Sequence, residues 1–172
     1  MTAFYPHLVL GGARSGKSRF AENAIRAAGR DPWVYIATAE AFDPEMEARI
    51  ERHRLDRGSG WVTVDAPHDL AAVLDDMGAG DQPILVDCLT LWLSNRLLAD
   101  ADLEADCEEL VAAVRRVTAP LVLVSNEVGF GIVPDNALAR RFRDAQGRLN
   151  QDMAAIAAQV TLVVAGLPVS VK

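Results

Sequence analysis

Residues Gly11-Gly12-Ala13-Arg14-Ser15-Gly16-Lys17-Ser18 satisfy G-x-x-x-x-G-K-[ST], and their flanks leave this chain little freedom in how it folds. The apolar run Leu8-Val9-Leu10 enters the loop as a short buried strand, and Ser18 to Ala28 leaves it as a helix. Glycines let successive N–H groups turn inward toward a polyphosphate. Lys17 supplies a charge for the β/γ-phosphates, and the Ser18 hydroxyl can ligate Mg²⁺. The helix N-terminus adds free N–H groups and a favourable dipole. A glycine-rich turn that binds nothing is the competing reading, and both flanks weigh against it. The loop predicts a nucleotide-binding protein.

Composition narrows the class. With 172 residues, one compact domain is expected over 1–172. Apolar residues make up 51% of the chain, too many for a largely disordered protein. No apolar run approaches the ~20 residues that span a bilayer, and the amino terminus lacks the regions of a signal peptide. Cys88 and Cys107 are too far apart for a C-x-x-C motif, and Cys88 in an apolar strand reads as a buried free thiol. A cytoplasmic protein is expected. The net charge of −7 argues against a nucleic-acid partner.

Short apolar runs alternate with helical patterns along the chain. Strands are expected at His7–Gly11, Trp33–Thr38, Trp61–Asp65, Pro83–Asp87, Leu121–Ser125 and Thr161–Ala165. Helices are expected at Lys17–Ala28, Pro44–Arg57, Asp69–Met77, Leu91–Val117 with a break near Asp100, and Ala137–Ala158. Runs such as Leu121-Val122-Leu123-Val124 do not alternate, which marks strands covered on both faces. The pattern predicts an α/β fold: a P-loop, RecA-like, doubly wound and mostly parallel sheet. The final stretch from Leu162 reads as a hairpin whose last strand is an antiparallel edge.

Two acids end strands. Asp87 closes Ile84-Leu85-Val86-Asp87, and beside the loop it becomes the natural acid for holding Mg²⁺. Asp65 is a second candidate in the same layer, or a turn residue before Pro67. The helix from Pro44 toward Gly58 carries Met46, Ile50 and His53 at spacings that share one face. A lone His there is ordinarily a core residue. Arg49, Arg54 and Arg57 make its surroundings cationic, which suits phosphate and disfavours His⁺. A neutral imidazole in such a place can attack phosphorus. A solvated basic face paired with Glu47 and Glu51 fits the same spacing, and the residues alone leave the two balanced.

An ordered series of motifs carries a resemblance. After the loop come Tyr-Ile-Ala-Thr at 35–38, Asp-Pro-Glu-Met at 43–46, Arg-Ile-Glu-Arg-His-Arg at 49–54 and Asp-Cys-Leu-Thr at 87–90. Ser-Asn-Glu-Val-Gly-Phe-Gly-Ile-Val-Pro follows at 125–134, then Ala145-Gln146-Gly147-Arg148-Leu149-Asn150-Gln151. The whole chain resembles the bifunctional adenosylcobinamide kinase / adenosylcobinamide-phosphate guanylyltransferase family of cobalamin biosynthesis.

The resemblance implies two reactions. ATP or GTP phosphorylates the aminopropanol hydroxyl of adenosylcobinamide. GTP then guanylylates a histidine, and the GMP passes to the new phosphate to form adenosylcobinamide-GDP. Carried over by position, the nucleophile is His53 and the catalytic cation is Lys17. The nucleotide-binding positions become Gly11, Gly12, Ala13, Arg14, Ser15, Gly16, Lys17, Ser18, Thr38, Ala39, Glu40, Arg54, Leu55, Asp56, Arg57, Asp65 and Asp87. Ser18 and Asp87 are the implied Mg²⁺ ligands. The last two acids are Glu in some relatives, so each reaches one methylene less far here. Neither His7 nor His68 has the cationic setting of His53. The family also implies a homotrimer.

One rigid nucleotide pose cannot serve both transfers, because each needs in-line attack on a different phosphorus. Either the triphosphate binds in two registers or the His53 helix shifts between Pro44 and Gly58. A monofunctional small-molecule kinase would share the loop and Asp87 without a covalent histidine. A motor-type ATPase or recombinase-like module would share the sheet, and the acidic balance disfavours it. Asn126, Glu127 and Asn150 are expected near the site without assigned roles.

Overall fold

The computed structural model describes residues 5–41 and 44–172, with the side chains of Met46, Arg49, His53, Arg54 and Asp56 outside the described set. Seven strands form one sheet in the order β3-β2-β4-β5-β1-β6-β7. They are β1 (His7–Gly11), β2 (Trp33–Ala37), β3 (Trp61–Asp65), β4 (Ile84–Asp87), β5 (Leu121–Asn126), β6 (Gln159–Val164) and β7 (Leu167–Ser170). All neighbouring pairs are parallel except β6–β7. The mostly parallel α/β sheet with an antiparallel C-terminal edge is therefore as the sequence predicts.

The non-alternating strands have the expected cause: helices cover both faces. Leu8, Leu10, Val34, Ile36, Ile84, Val86, Leu121 and Leu123 face one buried cluster. Helices α3 (Leu70–Met77), α4 (Leu89–Leu98), α5 (Leu103–Arg116) and α6 (Ala137–Ile156) supply its other half. Val9, Tyr35, Ala37, Leu85, Val122 and Val124 face the opposite way, against Ala21 and Ile25 of α1 (Lys17–Ala28). Complete burial of each such side chain is worth roughly 1.5–3 kcal/mol, so both faces must be apolar for the sheet to stand. The last turn of α2 (Pro44–Arg57) joins the α1 face, where Arg26 donates to the Arg57 carbonyl at 2.9 Å.

The break expected near Asp100 is real. Asp100 adopts φ 53, and Asp102 then caps α5 by accepting the Ala105 N–H at 3.2 Å. Differences from the expected bounds are confined to element ends. Cys88 follows β4 instead of lying in it, as a buried free thiol at the start of α4. Thr38 likewise lies just beyond β2.

His7 opens β1 on the α1 face, where its Nε2 meets the Thr161 hydroxyl at 2.9 Å and its ring stands edge-on to Phe20. Burial holds its pKa below the ordinary imidazole value. The unfolded chain therefore takes up this proton first as pH falls, and stability declines as pH drops below about 6.5. His7→Gln should flatten that slope between pH 7 and 5, read from urea midpoints.

Candidate active site

The strands that build the site contribute their carboxyl ends. A cleft of ≈ 860 Å³ opens along that edge of the sheet, where ligands bind in open parallel α/β folds. Arg14 to Gly16 come from the loop after β1 and Lys17 to Arg19 from the first turn of α1, Tyr35, Ala37 and Ala39 from β2 and beyond, and Asp87 and Cys88 from the end of β4 and the residue after it. Asn126 ends β5, Ile50 and Arg57 come from α2, and Ala165 and Gly166 form the β6–β7 turn.

The loop is built around close backbone approaches. A Cβ on Gly11 would collide with Ser15 Oγ and lie 2.8 Å from the Val163 carbonyl oxygen. Gly16 has φ 93 and starts α1 without a side-chain cap, and the first turn of α1 holds no acid. The helix N-terminus is thus left to an anion. Lys17 Nζ donates to the Gly12 carbonyl at 3.0 Å, across the loop. From outside, the Gly166 N–H donates to the Ser15 carbonyl at 2.7 Å. The terminal hairpin thereby braces the loop.

Asp87 forms the opposite wall. The Tyr35 phenol lies beside it, and burial together with the Asp87 charge drives that phenol far above its ordinary pKa, partly offset by Arg57. Tyr35 therefore stays a neutral phenol. Arg57 stacks on the other side of Tyr35, its guanidinium carbon 3.5 Å from the ring centroid, and it reaches toward Thr63 Oγ1 at 3.5 Å. It is only 6% exposed, so the last turn of α2 is fastened to the sheet. Arg26 adds to this anchorage by lying over Trp33 and Trp61.

Below the cleft Thr38 is fully buried. Its hydroxyl donates to the Cys88 carbonyl at 2.6 Å and accepts the Cys88 N–H at 2.8 Å, which ties the ends of β2 and β4 together. Asn95 holds the Thr38 carbonyl at 2.8 Å and the Pro67 carbonyl at 3.0 Å. Burial pushes the Cys88 thiol up to about 11, so it stays protonated and is no nucleophile at neutral pH.

The expected residues divide clearly. Arg14, Ser15, Gly16, Lys17, Ser18, Ala39, Arg57 and Asp87 line one cleft, with Gly11, Gly12 and Ala13 in the same loop. Thr38 acts from beneath. The Glu40 carboxylate faces His68 Nε2 at 3.5 Å, Leu55 is exposed, and Asp65 stands on edge strand β3 in register with Ala37, away from the lining. The side chains of His53, Arg54 and Asp56 lie outside the described residues. Tyr35 and the Ala165–Gly166 turn escape sequence reasoning as site residues. For Tyr35 the signals are its place in the Tyr-Ile-Ala-Thr motif at 35–38 and its two-residue spacing from Ala37, which puts both on one face.

The comparisons with known proteins point one way. The family model described as cobinamide kinase / cobinamide phosphate guanyltransferase matches residues 7–171. This chain belongs to that family. Relatives of the cobinamide kinase / guanyltransferase chain include the bifunctional adenosylcobalamin biosynthesis protein CobP of Pseudomonas aeruginosa, 46% identical over 96% of both chains. Another is the bifunctional adenosylcobalamin biosynthesis protein CobU of Salmonella typhimurium, 43% identical over 96% of this chain and 98% of its own. Among solved structures, a prototypical ATPase from the type III secretion system of pathogenic bacteria superposes with a TM-score of 0.54 at 12% identity. That match covers 95% of this chain and 56% of the ATPase, and shows the shared P-loop fold alone.

Gly11→Ala should disturb the loop of this cobinamide kinase / guanyltransferase chain without unfolding the sheet. Nucleotide affinity should fall on the order of tenfold, about 1.4 kcal/mol, in calorimetric titration.

Proposed function

We propose that this chain phosphorylates adenosylcobinamide with ATP or GTP and then transfers GMP from GTP to the product through a histidine intermediate. The observation that carries the reading is one cleft with a phosphate loop and Asp87 on the sheet side and the basic end of α2 across from them. A kinase alone has use for the first wall. The second puts Arg57, four residues after His53, beside the same nucleotide site.

In phosphoryl transfer the loop N–H groups and the α1 dipole hold the phosphates, and Lys17 offsets charge on the β/γ oxygens. Ser18 and Asp87 both line the cleft and offer a hydroxyl and a carboxylate, the oxygen donors that suit Mg²⁺. When bound there, the ion would neutralise charge between the β- and γ-phosphoryl groups.

In guanylyl transfer an imidazole nitrogen of His53 bonds to the α-phosphorus as the α,β-bridging P–O bond breaks. Pyrophosphate leaves with that electron pair. The phosphate of adenosylcobinamide phosphate then attacks the same phosphorus, and the imidazole is released. The family's motif order supports His53 as the nucleophile. Arg54, Leu55, Asp56, Thr38, Ala39, Glu40 and Asp65 join the nucleotide site in this proposal on the same ground. A homotrimer in the cytoplasm completes the reading.

His53→Ala should lower guanylyl transfer by on the order of 10³-fold or more and abolish covalent label from [α-³²P]GTP, while phosphorylation of adenosylcobinamide continues. The wild-type adduct should be acid-labile and base-stable, as a phosphoramidate is. Acid-labile label on the mutant would mean another nucleophile. Lys17→Ala should instead depress both activities, each by on the order of 10²-fold. Normal labelling in that mutant would confine the loop to the kinase reaction.

A further inference from the structure

Between the phosphate loop and Asp87 runs β5, the strand that neither motif uses. Its last residue, Asn126, is in register with Gly11, while Asp87 is in register with Val124. Asn126 thus stands one strand from the loop, one strand from the acid, and two residues further toward the open edge. Alternation along β5 sets Ser125 toward α6 and Asn126, like Val122 and Val124, toward the α1 face and the cleft.

Two side chains hold Asn126 through its backbone. Its N–H donates to the Thr90 hydroxyl at 2.8 Å, and its carbonyl accepts Asn150 Nδ2 at 3.1 Å. The next residue, Glu127, donates its N–H to the Gly11 carbonyl at 3.1 Å. The orientation of Asn150 is itself imposed. Its Oδ1 accepts from Ser125 Oγ at 2.6 Å and Gln146 Nε2 at 2.9 Å, so its amide nitrogen must face Asn126. Ser125 and Gln146 are fully buried and Asn150 nearly so, which makes this a rigid support.

What the support presents is incomplete. Asn126 Oδ1 is buried yet has no hydrogen-bond partner among the described residues. Such an atom calls for an explanation, and a carboxamide oxygen can only accept. Triphosphate oxygens are acceptors too, so the nucleotide's phosphates cannot satisfy it. A hydroxyl of the second substrate is a donor of the required kind.

We infer that Asn126 is a catalytic residue of the phosphoryl-transfer half-reaction: its Oδ1 accepts a hydrogen bond from the attacking hydroxyl of adenosylcobinamide, and its Nδ2 donates to the γ-phosphoryl group. The hydroxyl oxygen bonds to the γ-phosphorus as the β,γ-bridging P–O bond breaks, and the nucleoside diphosphate leaves with that electron pair. The hydroxyl proton passes to an oxygen of the transferred phosphoryl group. Asn126 takes no proton. It turns a hydroxyl lone pair toward phosphorus, a contribution of orientation. Guanylylation of the enzyme involves no such hydroxyl and does not require it.

The inference rests on the kinase reading, and the test separates the two. Asn126→Ala and wild type are compared for adenosylcobinamide phosphorylation and for covalent labelling by [α-³²P]GTP on the same preparations. Kinase kcat should fall on the order of 10²-fold with KM for the nucleotide little changed, while labelling persists and reports a folded site. Equal loss of both activities would overturn the inference, because Asn126 would then serve the nucleotide or its metal ion. Unchanged kcat would also overturn it. Asn126→Ser, one bond shorter, carries the same test if the alanine variant fails to fold. A wild type without kinase activity would defeat the functional reading instead.

Discussion

The loop between β1 and α1 turns backbone N–H groups toward the cleft, and backbone can present such groups well only if it cannot rearrange. The Gly166 N–H bond to the Ser15 carbonyl supplies that rigidity from outside, and the close packing of Gly11 under Ser15 and beside Val163 supplies it from below. Both depend on β6 lying parallel beside β1 and on β7 folding back antiparallel. The terminal hairpin, whose β7 residues are all exposed, is therefore a structural support of the glycine-rich loop. Positive φ at both Ala165 and Gly166 is what lets the turn approach the loop.

The far wall follows a different rule. Tyr35 lies beside Asp87 and carries the Arg57 guanidinium on its ring face. Burying a charged guanidinium is costly unless it is paired or stacked, so Arg57 fixes the end of α2 against β2 and β3. This bears on how one site serves two transfers. An α2 that shifts as a body must release Arg57 from Tyr35, whereas a nucleotide that changes register leaves the stack intact. The anchorage of Arg57 favours movement of the nucleotide.

The polar network under β5 extends the same economy of motion. Ser125, Gln146 and Asn150 sit where the surrounding cluster is apolar, and their mutual hydrogen bonds offset much of that cost, although Gln146 Oε1 has no partner among the described residues. The reward is a strand end whose backbone is held from two helices at once, by Thr90 of α4 and Asn150 of α6.

Much of this was legible in the residues themselves. The loop motif between an apolar run and a helix could fold only one way, and continuous apolar runs meant a sheet buried on both faces. Ordered motifs along the chain then named the family. Those signals are local or periodic, and local sterics and burial suffice to produce them. Which strands become neighbours is not local. Order β4-β5-β1-β6 brings Asn126 beside Gly11 and Gly166 beside Ser15, pairs of residues separated by more than a hundred positions in the chain. Asp65 and Asp87 read alike as strand-ending acids, yet edge placement of β3 keeps Asp65 out of the lining while β4 delivers Asp87 to it. Sequence determined what each segment is, because its own side chains set its period. The tertiary structure alone decided which segment ends share the cleft, because that depends on how the whole sheet closes its core.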